Sequence, residues 1–306
     1  MKIDKLVILG CSLFILTACG NEGTLSPRNI KENYYVADST ATDSESLLKC
    51  AFYKRDSSYL LFNDTLRHES LGKDTNGDML YYTETVDIGY VMTSNTMPSK
   101  YIYRYLTTMN EKQGVVDFIE ANLLPHLSVK LRPFSWLLIN HIAKYTTDDG
   151  VSYSYDSDKS YAVGDRCTAL AMDGLSDLSD SARATFTQSV LTGILQNRIS
   201  KQTSETLQPF VKYGSALYGT SASESPATED ENMVMMETSG FISPYYWGDY
   251  PSLGLYPTKD QDLESFVKLV LTQTADEVES AYADYPIVIK KYNAMRKIII
   301  SLGYIF

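Results

Sequence analysis

The chain has 306 residues, of which 44% are hydrophobic and 21% are charged. This balance is typical of a globular protein and excludes disordered and fibrous classes. The net charge of −11 lacks the basic surface that binding to a phosphate backbone requires, so nucleic acid is excluded as a partner. Four cysteines without a C-x-x-C pair argue against a zinc ribbon or a dithiol redox motif.

The N-terminus has the pattern of a secretory signal. Two lysines precede an apolar run over 6–16, which is too short to remain as a membrane span. The next residues, Leu16-Thr17-Ala18-Cys19, resemble a bacterial lipobox, in which the cysteine is acylated. We predict a signal peptide over 1–18 and an anchor in the membrane through lipidated Cys19. By the same resemblance, Gly20 after the cysteine implies sorting to the outer membrane. The alternative to a lipobox is a plain signal peptide followed by an unmodified cysteine.

Composition divides the remaining chain into a tether and a folded body. Residues 19–42 are polar and predict a flexible tether. Thr42-Asp43-Ser44-Glu45 has the spacing of a capping box, which indicates the start of a helix. We therefore predict one globular domain over 43–306, with two lobes as the alternative. Within it, 220–237 is acidic and lacks basic residues, which predicts a loose loop.

Hydrophobic periodicity predicts an α+β fold, with a mixed or antiparallel sheet in the first half and a helical second half. Runs of β-branched and aromatic residues predict strands at 59–62, 80–91, 101–106, 135–140, 151–155 and 162–172. Apolar residues at helical spacing predict helices at 111–124, 180–198, 204–217, 259–272, 275–283 and 286–302.

The pattern of histidines gives little support for a metal site. The chain has three, His68, His126 and His141, and none has another histidine or a cysteine within five positions. Zinc ligands on one element are normally two to four residues apart, so no local metal site and no cofactor are predicted. A site assembled from all three histidines across the fold is the alternative.

Signatures of metal-independent hydrolases give no catalytic residue either. No G-x-S-x-G segment occurs, and carboxylate pairs cannot be chosen from spacing among 38 acidic residues. An extracytoplasmic hydrolase, a peptidase or glycosidase with an unrecognised site, stays open as an alternative. Cys50 and Cys167 either form one disulfide or are two separate small apolar residues.

One segment is unusually rich in aromatic rings. Tyr245, Tyr246, Trp247 and Tyr250 lie between two prolines, with a Gly-Asp pair among them, which predicts a loop. On a rigid loop such rings stack on a sugar or anchor a partner, so these four residues are candidate binding residues. Packing of the same rings into the core or a lid is the alternative.

The order of the predicted elements resembles that of the zinc-binding metallopeptidase lipoproteins of Gram-negative gut anaerobes. The similarity is strongest from Gly240-Phe241-Ile242-Ser243 through the acidic helix start at 259–266 to 285–303. The resemblance implies a zincin-like scaffold, with Asp262 or Glu264 in the place of a late zinc ligand.

The zinc motif of that family is missing from this chain. The positions that should read H-E-x-x-H are Ser189-Val190-Leu191-Thr192-Gly193, which supply neither metal ligand nor general base. What the resemblance implies is therefore a scaffold that has lost its catalytic centre. We expect a membrane-anchored protein that works by binding a protein, peptide or glycan, without catalysis and without a metal.

Overall fold

The computed structural model describes residues 33–88, 99–221, 229–243, 245–247 and 250–306. Its compact body extends from Tyr35 to Phe306. The signal sequence, Cys19 and most of the predicted tether lie outside the described residues. The body is a mixed α+β fold whose helices lie mostly in the second half, which confirms the predicted fold class.

The central sheet has the order β1-β5-β9-β8. Its strands are β1 (Tyr59–Leu61), β5 (Ser135–Ile139), β9 (Cys167–Ala171) and β8 (Tyr161–Val163). The first three run parallel, and β8 pairs with β9 in the antiparallel direction. Every residue of β5 is buried, as expected where both faces of a parallel sheet are covered.

Each face of the central sheet has its own core. Trp136 and Leu138 pack into the larger core, which the helices complete. Leu137 and Ile139 point the other way, into a smaller core that includes Val86 and other residues of the first half. The alternation of neighbours along β5 follows from the two-residue period of a strand. The sheet is thus enclosed, and only its edges and ends are open to a ligand.

Three further sheets complete the β structure that is described. They are a hairpin of β2 (Thr65–Lys73) and β3 (Met79–Thr85), a sheet β4-β6-β7 and a hairpin of β10 (Tyr245–Trp247) and β11 (Tyr250–Leu255). In the second of these, β4 (Lys100–Arg104) and β7 (Ser154–Lys159) flank β6 (His141–Thr146).

Capping side chains begin most of the helices. The helices are α1 (Ser44–Asp56), α2 (Met109–Asn122), α3 (Asp180–Ile199), α4 (Ser204–Val211), α5 (Glu229–Thr238), α6 (Lys259–Thr272), α7 (Ala275–Ala281) and α8 (Pro286–Leu302). Full capping boxes start α2, α6 and α7, because Thr108, Thr258 and Thr274 each exchange hydrogen bonds with the Glu or Gln three residues later. Gly303 ends α8 in the left-handed conformation, with φ of 106°.

The structure differs from the predicted elements at several points. Asp43, one residue after the predicted cap, caps α1 by accepting from the Ser46 N–H. The prediction of a single strand over 162–172 was wrong, since a turn at 164–166 divides it into β8 and β9. Half of the predicted acidic loop is the helix α5, while residues 222–228 lie outside the described part.

The start of the folded body also differs from the expected tether. Tyr35 packs its ring against Phe134, with the ring centroids 5.0 Å apart, and Arg166 lies over the same ring. Contacts with the body therefore begin inside the segment predicted as a tether. Among the described residues, no helix combines the length and apolar character needed to cross a membrane.

Candidate functional site

The helix α3 carries the five positions at which the metallopeptidase motif was expected. Ser179 caps it by accepting from the Ala182 N–H. Within the five positions, Val190 and Leu191 are buried in the larger core, and Thr192 is buried as well. Ser189 donates to the Thr185 carbonyl within the helix at 2.9 Å. The helix therefore presents Ser189 and the bare backbone of Gly193 where the family would present two histidines.

A tyrosine ring occupies the space beside Gly193. A Cβ atom at Gly193 would lie 2.6 Å from Cε2 of Tyr161, which is closer than such atoms approach in proteins. Tyr161 belongs to β8 and packs partly buried against the larger core. Burial raises the pKa of its hydroxyl, while the nearby charge of Lys268 lowers it and that of Glu264 raises it. The ring thus lies against α3, where the charges of Lys268 and Glu264 on α6 act on it.

A groove of about 810 Å³ opens beside this ring. We call it the β8 groove. Its walls come from the end of β7, from β8, from the segment after β9 and from one face of α3. The lining residues are Asn140, His141, Asp158, Lys159, Ser160, Tyr161, Ala171, Met172, Asp173, Leu175, Leu178, Ala182, Thr185, Phe186 and Ser189. The groove combines a polar rim with apolar walls, which is the usual character of a binding site.

The strand β8 presents a free edge next to the groove. The Ala171 N–H donates to the Ser160 carbonyl, and the Gly164 N–H donates to the Cys167 carbonyl, each at 2.9 Å. Because such bonds alternate along an antiparallel pair, the N–H and C=O groups of Tyr161 and Val163 point away from β9. Within the described ranges no strand pairs with that edge. It is a template for one more strand.

Charged pairs line the rim of the groove. Nε2 of His141 lies 3.1 Å from Oδ1 of Asp158, across the β6–β7 pair. Arg104 donates to Asn140 at 2.6 Å and to Asp173 at 2.9 Å. Asp158 and Asp173 remain more than half exposed, with 58% and 61% of the side-chain surface accessible. Each carboxylate is therefore exposed at the groove while it contacts His141 or Arg104.

Asp262 and Glu264, the two candidates for the place of a late zinc ligand, lie in opposite surroundings. Asp262 is fully buried, and both of its oxygens accept from Nζ of Lys291 at 2.7 Å. The Tyr218 hydroxyl donates to Asp262 at 2.8 Å. Burial raises the pKa of Asp262, and Lys291 and Tyr218 oppose that rise. Glu264 instead pairs with Lys268 at 2.9 Å on the surface of α6.

Lys291 is enclosed by aromatic rings as well as by its anion. Its ammonium lies 4.8, 4.4 and 4.6 Å from the ring centroids of Phe210, Phe241 and Phe266. It also donates to the Gly240 carbonyl at 2.7 Å. Burial lowers the pKa of Lys291 to about 8, against the effect of Asp262. This cluster joins α6 and α8 to the turn at Gly240.

The three histidines lie on three separate elements. His68 is exposed on β2, where it contacts the Thr83 hydroxyl and stacks on Tyr81. His126 contacts the Ile305 carbonyl near the C-terminus, and His141 begins β6. In the part of the chain that the structure describes, no group of three or more His, Cys, Asp or Glu side chains is placed to hold a metal ion. Cys50 and Cys167 are both unpaired.

The aromatic segment forms strands, so the prediction of a loop was wrong. Tyr245, Tyr246 and Trp247 form β10, and Tyr250 begins β11. The register pairs Tyr245 with Leu255 and Tyr246 with Gly254. Aromatic residues have a high preference for strands, and this local preference prevailed. The side chains of the four candidate residues lie outside what the structure describes, so their role in binding stays a prediction.

The sequence analysis missed the residues that define the groove. Tyr161 was not singled out, because one tyrosine among 24 carries no local signal. The glycine at 193 on a predicted helix was a usable clue, since glycine within a helix often marks a close approach by another element. Comparisons with protein-family models, curated proteins and solved structures return no match.

Proposed function

We propose that this protein is a lipid-anchored protein of the cell envelope that binds an extended peptide segment of a partner in the β8 groove without cleaving it. The observation that carries the proposal is the free edge of β8 beside a groove of about 810 Å³. An extended peptide satisfies the outward N–H and C=O groups of Tyr161 and Val163 and places alternate side chains on the groove walls. A glycan offers no matching row of backbone groups.

We propose that the peptide is not cleaved because the positions of the expected zinc motif carry no catalytic side chain. The positions that would carry a zinc ligand and a general base are Ser189, Val190 and Gly193, of which Val190 is buried. The ring of Tyr161 fills the space beside Gly193. We propose that the chain keeps a zincin-like cleft for binding and has lost the catalytic groups of the metallopeptidase lipoproteins that its sequence resembles.

Hydrogen exchange tests the binding mode directly. We would incubate the full-length protein in non-ionic detergent with a decapeptide of alternating Ser and Val and follow deuterium uptake by mass spectrometry. Binding along the edge slows exchange at Tyr161 and Val163, and the peptide is recovered intact. Unchanged exchange over 158–166 contradicts the proposal. Cleaved peptide supports the hydrolase alternative instead.

A substitution at the edge gives a matched control. Val163→Pro removes an N–H that points away from β9, so the pairing of β8 with β9 survives while an added strand is blocked. Val163→Thr keeps the N–H. We expect at least a tenfold loss of affinity for the proline variant alone. Equal affinity of the two variants excludes addition of a strand at β8.

The anchor has its own test. Cys19→Ala removes the thiol that the lipobox pattern predicts to be acylated. Two or more acyl chains hold a protein stably at a membrane, whereas the unmodified chain lacks this anchor. We expect the variant in the soluble fraction and the wild type with the membranes. Retention of the variant in the membrane fraction contradicts lipidation at Cys19.

A further inference from the structure

A second cavity adjoins the β8 groove and lies outside the zinc-motif region. Its volume is about 560 Å³, and it opens along α2. We call it the α2 cavity. Asn140, Met172, Asp173 and Leu175 line both spaces. The two cavities therefore meet at the carboxyl ends of β5 and β9, the edge at which parallel sheets commonly place ligands.

One residue of the α2 cavity has no structural explanation within the fold. Gly114 lies in the middle of α2 and lines the cavity. Its φ is not in the left-handed region, and a Cβ atom there would meet nothing within 4 Å. Glycine inside a helix costs about 1 kcal/mol relative to alanine. Since neither backbone geometry nor packing requires it, Gly114 keeps the wall of the cavity open.

The charges along the two cavities favour a cation. The carboxylates that line them are Glu111, Asp117, Asp158 and Asp173, against the cations Lys159 and Arg183 and against Arg104, which pairs with Asp173 at the rim. Glu111 is held by the capping box, and Asp117 accepts from the Gln113 amide at 2.7 Å. The net charge of −11 adds a long-range attraction for positive ligands.

Apolar side chains lie between these carboxylates. Val115 and Phe118 of α2 face the α2 cavity, and Phe186 of α3 faces the β8 groove. Met172 and Leu175 form the wall that both spaces share. A ligand that fits has positive charges toward the rim and apolar groups toward the walls. An extended chain does this with alternating residues, because its side chains point to opposite sides.

We propose that the β8 groove and the α2 cavity form one continuous site for a cationic, extended peptide segment with alternating apolar and basic residues. This inference rests on the proposed function and adds the charge and the length of the ligand. The segment pairs with the edge of β8, crosses the ends of β5 and β9, and reaches Gly114. Asp158, Asp173 and Asp117 follow one another along that path.

Three rhodamine-labelled decapeptides with Lys-Val, Ser-Val or Glu-Val repeats test the charge preference by fluorescence anisotropy with the full-length protein in non-ionic detergent. We expect the Lys-Val peptide to bind at least tenfold more tightly than the Ser-Val peptide and the Glu-Val peptide to bind most weakly. Asp117→Asn combined with Asp173→Asn lowers the affinity for Lys-Val at least fivefold. Glu279→Gln, on exposed α7, is the charge control and leaves it unchanged.

Gly114→Leu tests whether the binding site extends into the α2 cavity. The added side chain fills the α2 cavity, so affinity for Lys-Val falls at least tenfold while the midpoint of thermal unfolding does not fall. Ser280→Leu adds the same side chain at an exposed position of α7 that does not line the cavity, and it keeps the affinity within about twofold.

Each of the remaining outcomes contradicts a particular part of the inference. The charge preference is overturned if the Lys-Val and Ser-Val peptides bind equally, or if the Asp variant binds Lys-Val as tightly as the wild type does. The proposed function still stands in that case if Val163→Pro weakens binding. Unchanged affinity of Gly114→Leu overturns the continuous site. Failure of all three peptides to bind overturns both this inference and the proposed function.

Discussion

Asp262 and Glu264 are two residues apart on α6, yet their environments are opposite. Asp262 has no exposed surface and is held by Lys291 and Tyr218. Glu264 is 48% exposed and pairs with Lys268 one turn later. Residues two apart on a helix are rotated by about 200°, so they face nearly opposite sides. The inner carboxylate serves the fold, and only the outer one remains available for a ligand.

The comparison separates two uses of charge in one helix. A buried ion pair must have all of its hydrogen-bonding groups satisfied, because desolvation penalises any charge without a partner. An exposed pair is screened by water and contributes little. Asp262 is therefore fully engaged inside the protein, whereas Glu264 lies at the surface.

Removal of Lys291 has the largest expected effect. Lys291→Ala leaves Asp262 buried without its cation, which costs about 3–5 kcal/mol of unfolding free energy. Urea denaturation followed by circular dichroism measures it. The double variant Lys291→Met with Asp262→Leu removes both charges and should recover most of the loss. A single-variant loss below about 1 kcal/mol contradicts the interior role of the pair.

A side chain at Gly193 tests the contact between α3 and Tyr161 of β8. Gly193→Ala forces its Cβ against Tyr161, and overpacking of this kind costs about 1–3 kcal/mol. In a Tyr161→Ala background the same change removes a helix-interior glycine without the clash and should stabilise by about 1 kcal/mol. A double-mutant cycle of denaturation midpoints measures the reversal. Equal effects in both backgrounds exclude the contact.

Loss of the outer ion pair should be small. Lys268 is 60% exposed, so Lys268→Ala changes the unfolding free energy by less than about 1 kcal/mol. The same denaturation assay, run beside Lys291→Ala, gives the contrast between the two sides of the helix. A loss as large as that of Lys291→Ala would show that Lys268 supports the fold and would remove the distinction.

Acid titration of the capping boxes gives the smallest effect. Hydrogen bonds from the Thr108 and Thr274 N–H groups lower the pKa of Glu111 and Glu277 below the ordinary 4.5. A lowered carboxyl pKa stabilises the fold above pH 4.5, and that stability is lost as the pH falls through the lowered values. Glu111→Gln with Glu277→Gln keeps both caps but cannot titrate. Its stability should fall less steeply below pH 4.5, and an unchanged slope contradicts this.

Local signals explain why two helices of the second half were predicted with their observed bounds. The predicted helix over 259–272 has the observed bounds, because its capping box and its stripe of Leu263, Phe266 and Val270 are short-range features. The helix over 286–302 is likewise confirmed, with Gly303 at its end. Each of these helices is defined by residues within a few positions of one another.

Features that depend on contacts between distant parts of the chain could not be predicted from the sequence. The groove depends on the meeting of Tyr161 with Gly193, and nothing in either segment specifies the other. Lys291 lies on the apolar stripe of α8 between Val288 and Met295, which indicates burial, but nothing local identifies Asp262 of α6 as its partner. The turn between β8 and β9 is different, because Gly164-Asp165-Arg166 is a local turn signal that the predicted strand over 162–172 did not take into account.

The order of the central strands has a consequence for folding kinetics. Tyr59 pairs with Ser135, and Ser135 pairs in turn with Cys167, so two long loops close before the sheet exists. Folds that depend on such distant pairings fold slowly. Until β1 and β9 have paired with it, β5 has both edges open to other chains, although the strand is buried throughout in the native state. The sheet is completed only after the segment ending at Ala171 has joined it, and aggregation competes with folding until then.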